Sequence, residues 1–437
     1  MVRSRSAQIL KILVYTIPVF LLACSLFSNL GDKKPETTTG STSTSPSSEG
    51  EIATLIPNST PIATPETEST QGNSVKIVAV STNSNRNLAI DSQGRVWEWG
   101  TYETGPANSP CKRDGIDCKL LPSLVPGLEQ AIAVSTGYEH NLALRKDGTV
   151  WGWGHNFMYA LGQGTADSDY HKSPLQVPGL KDVVAISASS NFNLAVKQDG
   201  SVWAWGENDA GQVGDGKDSY TPDYGLREEV PFRVVNIGDI VAVDTGSTHS
   251  LGLSRDGILW SWGSNQLGEL GQGTSDTDQH PVPVQVTSLG NTVTGIGAGF
   301  QNSIVIRNDG SVWAWGANFG GQLCDGQMSI MQPFPNPVEL KPFKGAVQVE
   351  MNSMQSLALM PDGTVWACGF LEGIPNLSPG QVPGLEGVVY ISAGEDHAVA
   401  LKKDGSLWAW GFNTTGQLGD GTQNSRSTPG LVLFPAQ

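Results

Sequence analysis

Two loops of this chain carry the residues best suited to binding chemistry. An Asp-x-Asp-x-His spacing occurs twice, first as Asp167, Asp169 and His171 and again as Asp276, Asp278 and His280. Carboxylates two residues apart can ligate Ca²⁺, and they can also hydrogen-bond a sugar or a basic partner. Charged loop residues are more often simply solvated. Both interpretations stay open. We expect no cofactor; if these loops do hold a metal ion, Ca²⁺ is the candidate, and its identity is otherwise unknown.

A long insertion lies between these two loops. Residues 215–229 contain Tyr220 and Tyr224 among acidic side chains. Tyrosine offers a large contact area at a low entropic cost, which is typical of a binding patch. The alternative is a longer loop that only meets solvent, and the sequence favours neither interpretation.

The cysteines predict one local disulfide. Cys111 and Cys118 lie in a loop that also contains Gly and Pro, and in an oxidising compartment this spacing favours a bridge between them. Cys324 replaces a Gly, and Cys368 a Trp, of motifs that recur elsewhere in the chain. These two could form a bridge, but we expect buried free thiols that act as small apolar fillers.

The other polar residues do not form a known catalytic pattern. The sequence contains no His-Glu-x-x-His zinc site, no Gly-x-Ser-x-Gly nucleophile elbow and no Gly-Lys-Ser/Thr phosphate loop. His140, His249 and His397 recur at one position of a repeat, which other copies fill with Arg, Phe, Asn or Gln. We therefore expect them to hydrogen-bond at the start of a strand, and we name no catalytic residue.

The N-terminal residues predict an export signal. Arg3, Arg5 and Lys11 precede an apolar run over residues 12–23 that is short for a membrane-spanning helix. The run ends in Leu-Leu-Ala-Cys, which resembles the lipobox of bacterial lipoproteins, so we expect residues 1–23 to be a signal peptide and Cys24 to be lipidated. An ordinary signal peptide or an uncleaved anchor is the alternative. Residues 24–74, rich in Ser, Thr and Pro, predict a flexible tether.

A repeat from residue 75 onward positions all of these loops. An Asp-Gly turn that leads into Val-Trp-x-Trp-Gly or a close variant returns seven times and uses all 13 Trp residues of the protein. Each copy contains three strand signals, and Gly suits the tight hairpin turn because its backbone tolerates a positive φ. A fourth, looser strand signal stands between successive copies. Four strands per repeat predict the blade of a β-propeller.

The repeat motifs resemble those of a known family. They are Gly-x-x-His-Asn-Leu-Ala-Leu over residues 137–144, the Asp-Gly hairpin, Trp-x-Trp-Gly, and Gly-Phe-Asn-Thr-Thr-Gly-Gln-Leu-Gly-Asp-Gly-Thr over residues 411–422. The chain resembles the regulator of chromosome condensation repeat family over roughly residues 75 to 434. The resemblance implies an all-β, seven-bladed propeller of four-stranded antiparallel blades, with residues 75–437 as one domain.

Two further expectations concern the ring. Runs of small residues such as Ser135-Thr136-Gly137 follow the first strand of most blades, and we expect them where seven inner strands converge on the axis. Residues 350–352 depart from this pattern and predict an uneven channel lining. The segment 428–433 looks like a leading strand without a following unit, so we expect the C-terminal strand to complete the first blade and close the ring.

The net charge of the chain bears on the class of partner it can bind. With 26 Lys+Arg against 42 Asp+Glu, the net charge of −16 disfavours nucleic acid. Relatives by resemblance include an exchange factor for a small GTPase and an inhibitor of β-lactamases. We expect a monomeric, non-enzymatic lipoprotein that is membrane-anchored, faces outside the cytoplasm and binds a protein or a glycan. The alternatives are an exported lyase or hydrolase that uses a divalent metal at the Asp-x-Asp-x-His loops, and less favoured, an exchange factor.

Overall fold

The structure, a computed structural model, describes residues 75–102, 117–167, 169–217, 227–371 and 374–435. The expectations for the signal peptide, the tether, Cys24, Cys111, Tyr220 and Tyr224 concern residues outside these ranges. The described strands form seven four-stranded sheets in which each sheet holds four strands consecutive in the sequence. The predicted all-β propeller with seven antiparallel four-stranded blades is confirmed.

Blade one consists of β1 (Ile77–Asn83), β2 (Arg86–Asp91), β3 (Val96–Tyr102) and β4 (Asp117–Leu124). Blade two consists of β5 (Ala131–Thr136), β6 (His140–Arg145), β7 (Val150–His155) and β8 (Tyr170–Gln176). Blade three consists of β9 (Val183–Ser189), β10 (Phe192–Lys197), β11 (Val202–Glu207) and β12 (Arg227–Arg233). Blade four consists of β13 (Ile240–Thr245), β14 (His249–Ser254), β15 (Leu259–Gly263) and β16 (His280–Gln285).

Blade five consists of β17 (Val293–Ala298), β18 (Asn302–Arg307), β19 (Val312–Asn318) and β20 (Ser329–Glu339). Blade six consists of β21 (Gln348–Met351), β22 (Gln355–Leu359), β23 (Val365–Leu371) and β24 (Ile374–Gln381). Blade seven consists of β25 (Val388–Ala393), β26 (His397–Lys402), β27 (Leu407–Gly411) and β28 (Arg426–Leu431). Three 3-10 turns lie at Phe157–Tyr159, Thr287–Leu289 and Lys341–Phe343.

The second and third strands of every blade form the predicted tight hairpin. Its glycine has a positive φ in all seven copies, for example +75° at Gly200 and +85° at Gly405. In blade three the Asp199 carboxylate accepts hydrogen bonds from the Ser201 backbone N–H (2.9 Å) and from the Ser201 hydroxyl (2.6 Å). The Asp-Gly pair is therefore a structural element, because the carboxylate satisfies the turn that the glycine makes sterically possible.

The looser strand between two copies of the repeat is the fourth, outer strand of the blade formed by the earlier copy. At its end, the backbone N–H of Val177 donates to the carbonyl of Val150 in the same blade (2.9 Å), and Val432 donates to Leu407 in the same way. The C-terminal strand β28 pairs with β27 and is the outer strand of blade seven. The prediction that this strand completes blade one is wrong, since β4 already fills that position.

Packing between whole blades closes the ring. Trp97 and Trp99 of blade one share a hydrophobic cluster with Val399 and Leu407 of blade seven, against which Phe434 also packs. The backbone N–H of Ile77 donates to the carbonyl of Gly405 (3.0 Å), and the hydroxyls of Thr82 and Ser392 lie 3.0 Å apart. The first and last blades thus meet through the same kinds of contact as other neighbouring blades.

Candidate functional site

The antiparallel strand order gives the ring two chemically different faces. The turn after the first strand and the loop after the third strand emerge at the same end of each blade, and we call this end the loop face. Its inner turns cover residues 84–85, 137–139, 190–191, 246–248, 299–301, 352–354 and 394–396. The hairpin face, at the opposite end, carries the Asp-Gly turns. The described residues of both Asp-x-Asp-x-His loops lie on the loop face.

In the Asp-x-Asp-x-His loop of blade two, the histidine and the first aspartate bond to each other. The distance from His171 Nε2 to Asp167 Oδ1 is 3.0 Å, and Asp167 also accepts from Asn156 Nδ2 (3.2 Å) and from the backbone N–H of Asp169 (3.1 Å). Burial acts to raise the pKa of Asp167, but the hydrogen bonds from Asn156 and His171 outweigh it and lower the pKa. The second aspartate, Asp169, is exposed.

The loop of blade four repeats this arrangement. His280 Nε2 lies 2.8 Å from Asp276 Oδ1, and Asp276 accepts from Asn265 Nδ2 and the backbone N–H of Asp278, each at 3.2 Å. Blade three separates the two loops. Within the described ranges, no three His, Cys, Asp or Glu side chains are grouped closely enough to hold a metal ion. The first Asp and the His of each loop bond to each other and are about one third exposed, so the spacing serves the loop itself, while Asp169 and Asp278 are exposed.

A buried asparagine organises these outer loops, and the sequence reasoning did not single it out. Asn413 is fully buried, accepts from the backbone N–H of Leu418 (2.9 Å) and donates to the carbonyl of Thr422 (3.0 Å). Equivalent bonds are made by Asn156, Asn265 and Asn318. The signal available in the sequence was the recurrence of Asn shortly after Trp-x-Trp-Gly.

The repeated histidines link neighbouring blades. His140 Nε2 lies 2.6 Å from Asn193 Oδ1 of the next blade, and His397 Nε2 lies 2.7 Å from Asn87 Oδ1 across the closure of the ring. Burial lowers the pKa of His140 to about 4 and that of His397 to about 3, so both rings are neutral at pH 7. Each histidine is the first residue of its strand. The predicted hydrogen-bonding role at a strand start is confirmed.

The second tryptophan of the motif packs against the preceding blade, and we call this contact region between two neighbouring blades a joint. Trp205 is fully buried and donates its indole N–H to the carbonyl of Ala160 in blade two (3.0 Å). A Cβ at Gly162 would lie 2.9 Å from the same indole, so only glycine fits beside it. The same glycine–tryptophan contact occurs in the pairs Gly214 and Trp262, Gly271 and Trp315, and Gly419 and Trp99.

At the joint between blades five and six, a disulfide replaces this contact. Cys324 and Cys368 are bonded, with a Cα–Cα distance of 5.7 Å. Cys324 stands at the glycine position with a φ of +55°, and Cys368 stands at the tryptophan position. The expectation of free thiols is wrong because the two replacements occupy partner positions across one joint. Cys118 is also disulfide-bonded, whereas its predicted partner Cys111 lies outside the described residues.

The inner strands and turns enclose a cavity at the loop-face end of the central channel. Its volume is about 110 Å³, and it is lined mainly by Ser, Thr, Asn and Gly residues of the first strands and inner turns. The small residues therefore lie at the axis, as predicted. Glu350, Met351 and Asn352 also line the cavity and make its wall uneven.

Glu350 is an unusual group in this wall. It belongs to the inner strand of blade six, is 9% exposed and accepts a hydrogen bond from Gln348 (3.0 Å). Burial, reinforced by the carboxylate of Asp244, raises the pKa of Glu350 to about 8. Asp244 itself accepts from the backbone N–H of Ala298 (2.8 Å), a well-matched partner for a carboxylate. Glu350 is consequently protonated at neutral pH while Asp244 holds its bonds within the wall.

The sequence and fold match known proteins. Residues 112–436 match the family profile of the RCC1-like domain. Human E3 ubiquitin-protein ligase HERC2 is 31% identical over 61% of this chain, and Ultraviolet-B receptor UVR8 of Arabidopsis thaliana is 27% identical over 68%. The chain spans 5% of HERC2 and 65% of UVR8.

Solved structures show the same fold. Human WBSCR16 superposes with a TM-score of 0.66 at 23% identity, covering 78% of this chain and 94% of that one. Prp20p of Saccharomyces cerevisiae gives a TM-score of 0.65 at 22% identity, covering 79% and 87% respectively. Among the residues described in the structure, no helix combines the length and apolar character needed to cross a bilayer.

Proposed function

The chain belongs to the RCC1-like domain family, and on that premise we propose that it is a non-enzymatic binding module whose loop face recognises a protein or a glycan at the cell surface. Protein binding has precedent among its structural relatives, since Prp20p is described with binding properties to Gsp1p and histones and in a complex with Kap60. These likenesses show the fold alone, whereas exposed side chains on the surface of this chain support a binding role.

One observation carries the proposal. In the described part of the chain, the large aromatic side chains that are exposed all lie on the loop face: Tyr138 (55% exposed), Phe157 (50%) and Phe300 (50%). The second tryptophans of the repeat, in contrast, are buried. Exposed aromatic residues are costly to hydrate and are enriched at the centres of protein interfaces. Their confinement to one face supports that face as the binding surface.

The charge of the loop face supports a partner that is neutral or basic. Its outer loops and inner turns carry the half-buried or exposed acids Asp169, Glu207, Asp209, Asp278, Asp325, Glu395 and Asp396. Several basic residues on this face are already paired, as Arg426 is with Asp420 (2.8 Å) and Lys217 with Glu228 (2.9 Å). A surface of this kind repels nucleic acid and attracts cationic groups.

The enzyme alternative receives no comparable support. It required a divalent metal at the Asp-x-Asp-x-His loops, where Asp167 and Asp276 instead bond to His171 and His280. We propose that the module is a monomer held outside the cytoplasm by a lipid on Cys24. Metabolic labelling with a clickable palmitate tests the anchor, because Cys24→Ala should abolish the label and release the protein from membranes.

The binding face is tested by capture from cell-envelope extract with the immobilised full chain. The loop-face variant combines Phe157→Ser and Asp169→Asn, and the matched hairpin-end variant combines Val184→Ser and Glu386→Gln. Each pair removes one exposed apolar side chain and one carboxylate charge. We expect the loop-face variant to lose at least about fivefold of the captured partner, as truncation of a contact residue does, and the other to retain it. Loss only in the hairpin-end variant, or no captured partner at all, would contradict the proposal.

A further inference from the structure

The inner turns place one residue from each blade around the mouth of the channel. These seven residues, which we call the mouth residues, are Ser84, Tyr138, Ser190, Ser247, Phe300, Ser353 and Glu395, and all of them line the cavity. Serine fills the position in four blades. The departures are an aromatic residue in blades two and five, which lie on roughly opposite sides of the ring, and a carboxylate in blade seven.

The two aromatic mouth residues are exposed but held in place. Tyr138 is 55% exposed and its backbone N–H donates to the carbonyl of Ser190 in the next blade (2.9 Å). Phe300 is 50% exposed, and its carbonyl accepts from the backbone N–H of Ser247 in the blade before (3.0 Å). Hydrogen bonds to neighbouring blades fix the backbone at both positions, which lowers the ordering cost when the exposed rings bind a partner.

Acidic side chains line the mouth. Glu395 and the protonated Glu350 both belong to the cavity wall, and none of the described residues that line it is a Lys, Arg or His. Asp396 follows Glu395 in the same turn, and burial together with that neighbour raises the pKa of Asp396 to about 6. The positive charge of Arg86 acts on Tyr138, but Arg86 is 3% exposed and so lies below the surface. Carboxyl groups without a cation at their surface favour an incoming positive charge and disfavour an anion.

The dimensions suit a single side chain. A cavity of about 110 Å³ has room for roughly seven to eleven water molecules, since one water needs about 10–15 Å³ on the same scale. A guanidinium or ammonium group can stack against an aromatic ring while it hydrogen-bonds a carboxylate. The hydroxyl groups of the four mouth serines offer further acceptors.

Building on the proposed function, we propose that the channel mouth binds the cationic side chain of an arginine or lysine from a protein partner, with Tyr138 and Phe300 as stacking walls and Glu395 as the counter-charge. The rest of the loop face contacts the partner's surface. Glycan binding at the mouth is the competing outcome, because aromatic rings also stack on sugars.

The test uses the full chain and two peptides, acetyl-Gly-Arg-Gly-amide and its citrulline analogue, in which a neutral urea replaces the guanidinium. Binding is followed by chemical-shift perturbation, with chitotriose as the sugar probe. We expect the arginine peptide to bind about tenfold more tightly than the citrulline peptide, in the range of a desolvated cation–π contact with its carboxylate partner. Equal binding of the two peptides, or binding of chitotriose alone, would overturn the cationic assignment.

Variants locate the site. Tyr138→Ser combined with Phe300→Ser installs the residue that four blades already hold, so the fold has a precedent at both positions, and we expect it to abolish arginine-peptide binding. Glu395→Gln should weaken binding about fivefold, as loss of one charge-assisted contact does, whereas Glu386→Gln on the hairpin face removes the same charge and should have no effect. Unchanged binding in the Tyr138 and Phe300 variant would sink the assignment.

The two proposals fail differently. If extract capture by the loop face succeeds but the arginine peptide does not bind, the binding function stands and the cationic assignment is rejected. If the arginine peptide binds at the mouth but the loop-face variant captures as much partner as the wild type, the mouth remains a cation site and the wider loop-face proposal is rejected.

Discussion

Neighbouring blades are held together by two kinds of contact, a tryptophan packed on a glycine and a disulfide. At four joints a buried tryptophan of one blade packs on a loop glycine of the preceding blade, as Trp205 does on Gly162. At the joint of blades five and six, Cys324 and Cys368 occupy the same two positions and are covalently bonded. This joint differs from those four at both positions together, which indicates that the two positions form one packing unit.

The inner wall differs in the same sector. At several joints a serine of an inner strand bonds to the next blade, as Ser135 does when its hydroxyl accepts from the backbone N–H of Ala188 (2.9 Å). Blade five has Gly297 at that position, between Asp244 of blade four and Glu350 of blade six. Blade five therefore has a glycine where other blades have a serine, and the blades on either side of it have an acidic residue at that position.

The largest effect should follow from breaking a regular joint. Trp205→Ala removes a fully buried indole and orphans the carbonyl of Ala160, so we expect the free energy of unfolding to fall by about 3–5 kcal/mol. Urea unfolding followed by circular dichroism measures it. Val184→Ser, at an exposed site, should change the midpoint little, and a similar loss in both variants would show that Trp205 has no special role at the joint.

The irregular joint should depend on its covalent bond. Cys324→Ser with Cys368→Ser is expected to cost about 2–4 kcal/mol, the usual range for a lost disulfide. Cys324→Gly with Cys368→Trp rebuilds the contact of the other joints and should recover stability to within about 1 kcal/mol of the wild type, as matched packing does. Thermal unfolding under oxidising and reducing conditions compares the three proteins. If the Gly and Trp variant is as unstable as the serine variant, the two solutions are not equivalent.

The smallest effect concerns the buried acid and depends on pH. The folded pKa of Glu350 is about 8 and its ordinary value is 4.5, so between these pH values the unfolded chain releases a proton that the folded chain keeps. Stability therefore falls as pH rises through this window. Glu350→Gln removes this titration. We expect the variant to match the stability of the wild type at pH 4 and to be more stable by about 2 kcal/mol at pH 9. The upper limit on this difference is about 5 kcal/mol, because each unit of pKa shift corresponds to about 1.36 kcal/mol. A difference that does not change with pH would contradict the assignment.

Sequence reasoning predicted the parts that repeat. The Asp-Gly turns, the tryptophan pairs and the small residues at the axis recur at fixed spacing, and periodicity reports such positions directly. It assigned β28 wrongly because a strand between two units can pair with either one, and the pairing of β28 with β27 is visible only in the structure. The disulfide and the mouth residues depend on contacts between blades. Aligning the seven copies would have shown both, since Cys324 and Cys368 fall in partner positions and Tyr138 and Phe300 interrupt a run of serines.

Closure without a shared strand has a mechanical consequence. Blade one consists of the consecutive strands β1 to β4, and its inner strand β1 lies against blade seven. A pulling force applied at residue 75 would load β1 directly, and among the described strands β1 pairs with β2 alone, so no strand of blade seven shares the load. We expect the ring to open first between blades one and seven, while the disulfide keeps blades five and six joined.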